Sequence, residues 1–94
     1  MSEPRLLEFW APWCKPCKAL EPVLETLSQR IAVERVNADE DPDTAARYDV
    51  LALPTVVLLV DDEPVGSVIG ARPLDYFERW LDEMLPAAEL GDDA

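Results

Sequence analysis

Cys14 and Cys17 are the only two cysteines of the 94-residue chain, and they lie in the segment Trp13-Cys14-Lys15-Pro16-Cys17. An apolar run precedes this segment and helical spacing follows it, which predicts that Cys14 lies at the N-terminus of a helix. Unpaired backbone amides at that end stabilise a thiolate, the nucleophilic form of cysteine. Cys17 falls one turn further along, where it can attack a mixed disulfide formed by Cys14. The pair therefore predicts thiol–disulfide exchange.

A C-x-x-C pair is also compatible with half of a zinc site, a structural bridge or two unrelated core thiols. Structural zinc takes four nitrogen or sulfur ligands, whereas the sequence has no histidine and no third cysteine. A bridge across so short a loop restrains the unfolded chain little. Redox function is therefore favoured over these alternatives. We expect no metal, and no bound cofactor, since the chain lacks a glycine-rich nucleotide loop.

Glu8 interrupts the apolar run from Arg5 to Ala11 (RLLEFWA) that leads to the cysteines. Burial disfavours the charged form of a carboxyl group, so a glutamate inside an apolar strand has a raised pKa and can exchange protons near neutral pH. An exposed Glu8 is the alternative interpretation, which its apolar neighbours disfavour.

The elements that must position these residues follow from hydrophobic spacing and from turn residues. Strands are predicted at Arg5 to Ala11, Ala32 to Asn37, Thr55 to Val60 and Val65 to Ile69. Helices are predicted from Cys14 to about Arg30, from a cap at Asp41 or Asp43 through Tyr48, and from Pro73 to Leu85. Pro22 lies inside the first helix and should bend it. The residues from Pro86 onward are small and acidic, and we expect them to be frayed.

The element order β-α-β-α-β-β-α predicts an α/β fold with one four-stranded mixed sheet and helices on both faces. A helix between the first two strands favours a right-handed parallel crossover, and the last two strands are expected to form a hairpin. The length suits one domain spanning residues 1–94, with a core at about 5–85 and an acidic tail at 86–94.

The charge balance excludes several classes of partner. Twenty acidic and eight basic residues give a formal net charge of −12, which would repel nucleic-acid phosphates and anionic membranes. No segment approaches the roughly 20 apolar residues needed to span a bilayer, and the N-terminus lacks the apolar run of a secretory signal. We therefore expect a cytoplasmic protein with no nucleic-acid or membrane partner.

The segment from Glu8 to Lys18 (EFWAPWCKPCK) resembles the active-site segment of the thioredoxin family, whose usual form is DFWAxWCGPCK. Further similarities occur in register between about Arg5 and Leu85. They are Pro22 at the family's helix kink, Asn37-Ala38-Asp39 after the second strand, Leu53-Pro54-Thr55 at the cis-proline loop, and Ile69-Gly70-Ala71 after the last strand. The resemblance implies a minimal thioredoxin fold.

The resemblance also implies a separate role for each reacting group. Cys14 would be the exposed nucleophile and Cys17 the buried resolving thiol. Glu8 occupies the place of the family's buried aspartate, the proton acceptor for the resolving cysteine. Arg35 falls where the family usually has a lysine paired with that acid, and its guanidinium stays charged. Pro54 would follow a cis peptide bond, a rare arrangement.

A shallow apolar substrate groove beside the cysteines is the third implication of the resemblance. The backbone before the cis-proline would pair with an extended substrate peptide. The residues expected to contact substrate are Trp13, Lys15, Pro16, Ala52, Leu53, Gly70 and Ala71. We expect Trp13 to lie at the surface and Trp10 to pack in the core.

Three departures from the family pattern affect these expectations. Lys15 replaces the usual glycine between the cysteines. Its ammonium would make the protein a better oxidant if it stabilises the Cys14 thiolate, and would do little if it sits in water. Glu8 is one methylene longer than aspartate, which alters its reach. The family's usual first strand and helix are absent, so we expect lower stability.

A general protein disulfide reductase is the leading functional hypothesis. Its partners would be disulfide-containing substrate proteins and a separate electron donor resembling thioredoxin reductase, and we expect a monomer. One alternative is a redox-sensing adaptor whose groove binds a single partner. Another is a glutathione-dependent enzyme resembling glutaredoxin, whose motif more often has tyrosine beside the cysteines.

Overall fold

A computed structural model describes the backbone of residues 3–93 and the side chains of residues 3–85. Within these residues the chain forms four strands and three helices in the predicted order. The strands are β1 (Arg5–Trp10), β2 (Ala32–Asn37), β3 (Thr55–Val60) and β4 (Glu63–Ile69). The helices are α1 (Lys15–Leu27), α2 (Pro42–Arg47) and α3 (Leu74–Asp93).

The strands form one mixed sheet in the order β2-β1-β3-β4. β1 pairs with β2 in parallel and with β3 antiparallel, and β3 pairs antiparallel with β4. The parallel pair is connected through α1, as the sequence predicts. This order places β1, which carries Glu8, in the interior of the sheet. The register sets Glu8 directly beside Arg35 of β2.

Helices cover both faces of the sheet, which confirms the predicted architecture. Side chains alternate along β1, so Leu6 and Glu8 project from one face and Leu7 and Phe9 from the other. The first face is packed by α1 and α3. Its buried residues are Leu6, Leu20, Leu24, Leu27, Ile31, Val56, Leu58, Val68, Phe77 and Leu81. The second is packed by α2, and its buried residues are Leu7, Phe9, Ala45, Val57 and Leu59.

The hairpin between β3 and β4 is tighter than the sequence suggested. β4 begins at Glu63, two residues before the predicted start, and Glu63 pairs with Val60. Only Asp61 and Asp62 remain in the turn, with φ of 53° and 66°. Aspartate tolerates this left-handed region better than most residues, because its short side chain bonds to nearby backbone groups.

The helix α3 is longer than predicted. We expected it to end at Leu85, with frayed chain from Pro86 onward, but it continues to Asp93. A proline has a φ that is compatible with a helix; it removes one backbone hydrogen bond and its ring crowds the carbonyl four residues earlier, which can bend a helix without ending it. Pro22 is likewise accommodated inside α1.

Candidate active site

The two cysteines lie at the start of α1, as their position between a strand and a helix predicts. Cys14 is the N-cap residue, with extended backbone at φ −87° and ψ 102°. Its Sγ accepts a hydrogen bond from the backbone N–H of Cys17 at 3.2 Å. The two residues are joined by a disulfide, with their Cα atoms 5.3 Å apart. One helix amide that would stabilise a Cys14 thiolate, that of Cys17, therefore already points at its sulfur.

The expectation of an exposed Cys14 is wrong for this disulfide-bonded state. Cys14 is 3% exposed and Cys17 is 1% exposed, so the two residues differ little in accessibility. Both belong to a small buried cluster with Ala11, against which Trp10 and Leu53 pack. Leu53, from the loop before β3, covers part of this cluster.

Trp13 precedes the cysteines and lies at the surface, as predicted, with 68% of its area exposed. Its indole Nε1 donates a hydrogen bond to Asp39 Oδ2 at 2.9 Å. The backbone N–H of Asp39 in turn donates to Asn37 Oδ1 at 2.9 Å. The loop after β2 therefore orients the ring beside the dithiol. In the sequence, Asp39 stands out only as part of a family motif. It lies 26 residues from Trp13, so no local pattern indicates that the two side chains are in contact.

The loop before β3 contains the predicted cis bond between Leu53 and Pro54. Pro54 is buried, and its carbonyl accepts a hydrogen bond from Gly70 N–H at 2.9 Å. Gly70 has a φ of 98°, a backbone conformation that residues other than glycine rarely adopt. Thr55 Oγ1 donates to the Ala52 carbonyl at 2.6 Å and ties the loop to the start of β3. Leu53 is half-buried against the cysteines.

Several predicted groove residues are exposed around this loop. Lys15, Pro16, Ala52 and Ala71 are all exposed, whereas Gly70 is half-buried. Leu51, which the sequence analysis did not single out, is 96% exposed. It lies three residues before the cis-proline in the sequence.

Glu8 is fully buried, which excludes the alternative of an exposed side chain. Its Oε1 accepts a hydrogen bond from Arg35 Nε at 2.8 Å. Its Oε2 is also buried and finds no hydrogen-bond partner among the described residues. Burial raises the pKa of Glu8 above its ordinary value of 4.5, and the bond and charge of Arg35 only partly oppose that effect. The result is a buried carboxyl group with one free oxygen.

Arg35 connects Glu8 with two further side chains. Its Cζ lies 4.7 Å from the centre of the Trp10 ring, in a cation–π contact. Its Nη2 lies 3.5 Å from Glu21 Oε2 on α1. Trp10 is therefore half-buried, and it contacts both the cluster that contains the cysteines and this guanidinium, so the expected core packing is partial. Glu21 was not among the predicted site residues, although its position four residues after Cys17 places both on one helical face.

In the described part of the chain, no group of three or more potential metal ligands occurs. None of its helices is long and apolar enough to cross a membrane. The chemistry that the disulfide at the start of α1 supports is the reversible making and breaking of the bond between two sulfurs.

Comparisons with known proteins agree with this geometry. A protein-family model described as Thioredoxin matches residues 1–83. A thioredoxin of Staphylococcus epidermidis is 40% identical over 85 residues, covering 86% of this chain and 82% of that protein. A thioredoxin of Staphylococcus aureus is 39% identical with the same coverage.

Solved structures show the same similarity in three dimensions. A mutant thioredoxin from Halobacterium salinarum NRC-1 superposes with a TM-score of 0.82 at 37% identity, covering 87% of this chain and 74% of that chain. The thioredoxin of Fasciola hepatica gives a TM-score of 0.79 at 27% identity, covering 86% of this chain and 80% of that chain.

Proposed function

Because this chain belongs to the thioredoxin family and is a thiol–disulfide oxidoreductase, we propose that it works as a general reductase of protein disulfides. The observation that carries the proposal is the Cys14–Cys17 disulfide at the N-terminus of α1, packed against the loop that contains the cis-proline. The family implies disulfide-containing substrates and a reductase as partners.

The proposed reaction begins with the reduced dithiol. The Cys14 thiolate attacks one sulfur of the substrate disulfide, forms a bond to it, and expels the other substrate sulfur as a thiolate. Cys17 then loses its proton and attacks the Cys14 sulfur, which releases the second substrate thiolate. The substrate gains two electrons, and the protein ends in the disulfide state. A separate reductase returns two electrons to the pair, because the sequence offers no nucleotide-binding loop for its own donor.

In this proposal Glu8 accepts the Cys17 proton. Its free Oε2, its complete burial and its raised pKa support the role, because a base is most effective when its pKa lies near the working pH. Glu8 also projects from the sheet face that α1 covers. Side chains alternate between the two faces along β1, and Glu8 lies on the same face as Leu6. Cys17 is in the first turn of that helix.

The substrate peptide would lie on the surface formed by Trp13, Ala52, Leu53, Gly70 and Ala71, with Lys15 and Pro16 at its border. The exposure of Trp13 supports this placement, since an accessible aromatic ring beside a reactive group provides apolar contact area. The bond from Gly70 to the Pro54 carbonyl joins two parts of this surface. Extended backbone of the substrate would pair with the chain just before Pro54.

We further propose that the protein acts as a monomer in the cytoplasm, without nucleic-acid or membrane partners. A net charge of −12 disfavours association with phosphate-rich surfaces. A disulfide reductase of this kind acts where thiols are kept reduced, as they are in the cytosol.

Cysteine variants test the proposed reaction. With a generic disulfide protein as substrate, Cys14→Ser is expected to abolish turnover, because the attacking sulfur is gone. Cys17→Ser is expected to accumulate a covalent adduct at Cys14, detected by mass spectrometry, because the resolving thiol is missing. Adducts found only at other positions would reject these roles. Binding of one partner without turnover would favour an adaptor, and activity only with glutathione would favour a glutaredoxin-like enzyme.

A further inference from the structure

The guanidinium of Arg35 is shared between two carboxylates. The Nε and Nη2 of arginine lie on one edge of the planar group, and this edge can donate to both oxygens of a single carboxylate. Here Nε donates to Glu8 Oε1 at 2.8 Å, whereas Nη2 lies 3.5 Å from Glu21 Oε2. Glu8 Oε2, which would otherwise receive Nη2, has no partner among the described residues. The usual two-pronged pairing is therefore left incomplete.

We propose that Glu21 is a positioning residue for thiol–disulfide exchange, because it draws Nη2 of Arg35 away from Glu8 and keeps Oε2 of Glu8 free to accept a proton. The inference rests on the proposed role of Glu8 as the proton acceptor for Cys17. Glu21 touches no reacting atom and acts only through the arginine. Without it, the same edge of Arg35 can turn to bind both oxygens of Glu8.

The surroundings of Glu8 leave few other groups that can exert this effect. The charged groups that influence it are Arg35 on β2 and Glu21 on α1. Its partner on β3 is the apolar Val56. Arg35 also contacts the Trp10 ring. Because Nε and Nη2 belong to one rigid plane, a change in what Nη2 binds turns the whole guanidinium.

Three variants separate anchoring from simple charge. Glu21→Ala removes both the charge and the acceptor for Nη2, whereas Glu21→Gln removes the charge but keeps an acceptor oxygen. Glu25→Gln is the matched control, because Glu25 is an exposed acid on the same helix that makes no ion pair with Arg35. The pKa of Glu8 is measured by carboxyl carbon NMR in the disulfide form, in which the cysteines do not titrate. The rate of the Cys17 step is measured against pH in the reduced form.

Glu21→Ala is expected to lower the pKa of Glu8 more than Glu21→Gln does, and Glu25→Gln is expected to leave it unchanged. The Cys17 rate profile of Glu21→Ala should move to lower pH and reach a lower plateau, because a more stabilised carboxylate is a weaker base. Equal shifts in the Ala and Gln variants, or none, would overturn the anchoring role. An NMR shift without a change in the rate profile would overturn the role in exchange.

A fourth variant separates this inference from the proposed function. If Glu8→Gln retains the normal rate profile for the Cys17 step, the proton role of Glu8 fails, and the role of Glu21 in exchange fails with it. The NMR titration would still report whether Glu21 determines how Arg35 contacts Glu8. Failure of the anchoring geometry and failure of the proton role therefore give different results.

Discussion

The two faces of the sheet differ in what β1 contributes to them. On the face covered by α2, β1 contributes Leu7 and Phe9, which are buried in an apolar cluster with Val57 and Leu59, and Arg5 at its start, whose Nε is buried without a hydrogen-bond partner among the described residues. On the face covered by α1, the same strand contributes Glu8, a fully buried carboxyl group with one unpaired oxygen. Adjacent residues of one strand thus meet opposite environments.

With the proposed role of Glu8, the α2 face would serve stability and the part of the α1 face that contains Glu8 would serve chemistry. Burying a carboxyl group costs free energy unless all its hydrogen bonds are made, and Glu8 makes only one with Arg35. An apolar residue at this position would avoid that cost. Four measurements test the contrast, beginning with the largest expected effect.

Leu59→Ala is expected to lower the free energy of unfolding by about 2–5 kcal/mol, because it leaves a cavity in the α2 face. Activity per folded molecule should be unchanged, since Leu59 pairs with Arg5 at the end of β1 remote from the cysteines. Denaturant unfolding and a disulfide-reduction assay measure the two quantities. Leu51→Ala is the control, and this exposed change should shift stability by less than about 0.5 kcal/mol. A large loss of specific activity in Leu59→Ala would break the contrast.

Glu8→Leu is expected to have the opposite pattern. It removes a buried carboxyl group with little change of volume and leaves Arg35 in contact with Glu21 and solvent. The free energy of unfolding should rise by about 1–4 kcal/mol. The attack of Cys17 on the mixed disulfide should slow by roughly 100-fold, because the carboxylate that accepts its proton is gone. Glu34→Leu on β2, at an exposed site, should leave that step unchanged. Loss of stability in Glu8→Leu would show that the acid supports the fold.

The pH dependence of stability sharpens the comparison further. The pKa of Glu8 in the folded protein lies above its ordinary value of 4.5, because burial disfavours the carboxylate. The folded state therefore holds this proton more tightly than the unfolded state does. The contribution of Glu8 to stability is fully present below pH 4.5 and is lost as pH rises through the folded-state pKa.

Unfolding of the wild type and of Glu8→Gln measures this contribution, because the other acidic groups are common to both proteins. The stability of the wild type relative to the variant should fall as pH rises from 4.5 upward. A difference that stays constant or grows with pH would mean that the pKa of Glu8 is not raised.

Lys15→Gly is expected to have the smallest effect. Lys15 is exposed at the first position of α1, so water screens its charge from the Cys14 sulfur. The reduction potential should decrease by less than about 30 mV, which corresponds to roughly 1.4 kcal/mol. Equilibration with glutathione measures it. A decrease well beyond this range would show that Lys15 stabilises the thiolate strongly.

Local patterns predicted most of the fold. The bounds of β2 and β3 were predicted to the residue, because runs such as Thr55–Val60 carry a strong strand signal and turn residues limit them. The N-cap position of Cys14 followed from the change between strand and helix spacing. The cis bond before Pro54 and the burial of Glu8 agreed with the family resemblance. The end of α3 at Asp93 was not predicted, because a proline such as Pro86 can either end a helix or lie within one.

The sequence by itself determined the elements, their order and the identity of the reactive pair, because these depend on residues close together in the chain. Tertiary structure alone decided how deeply Cys14 is buried, which partner holds the Trp13 ring, and how Arg35 is divided between Glu8 and Glu21. Arg35 is 27 residues from Glu8 and 14 from Glu21. Contacts across such separations depend on strand register and helix rotation, which no local pattern specifies.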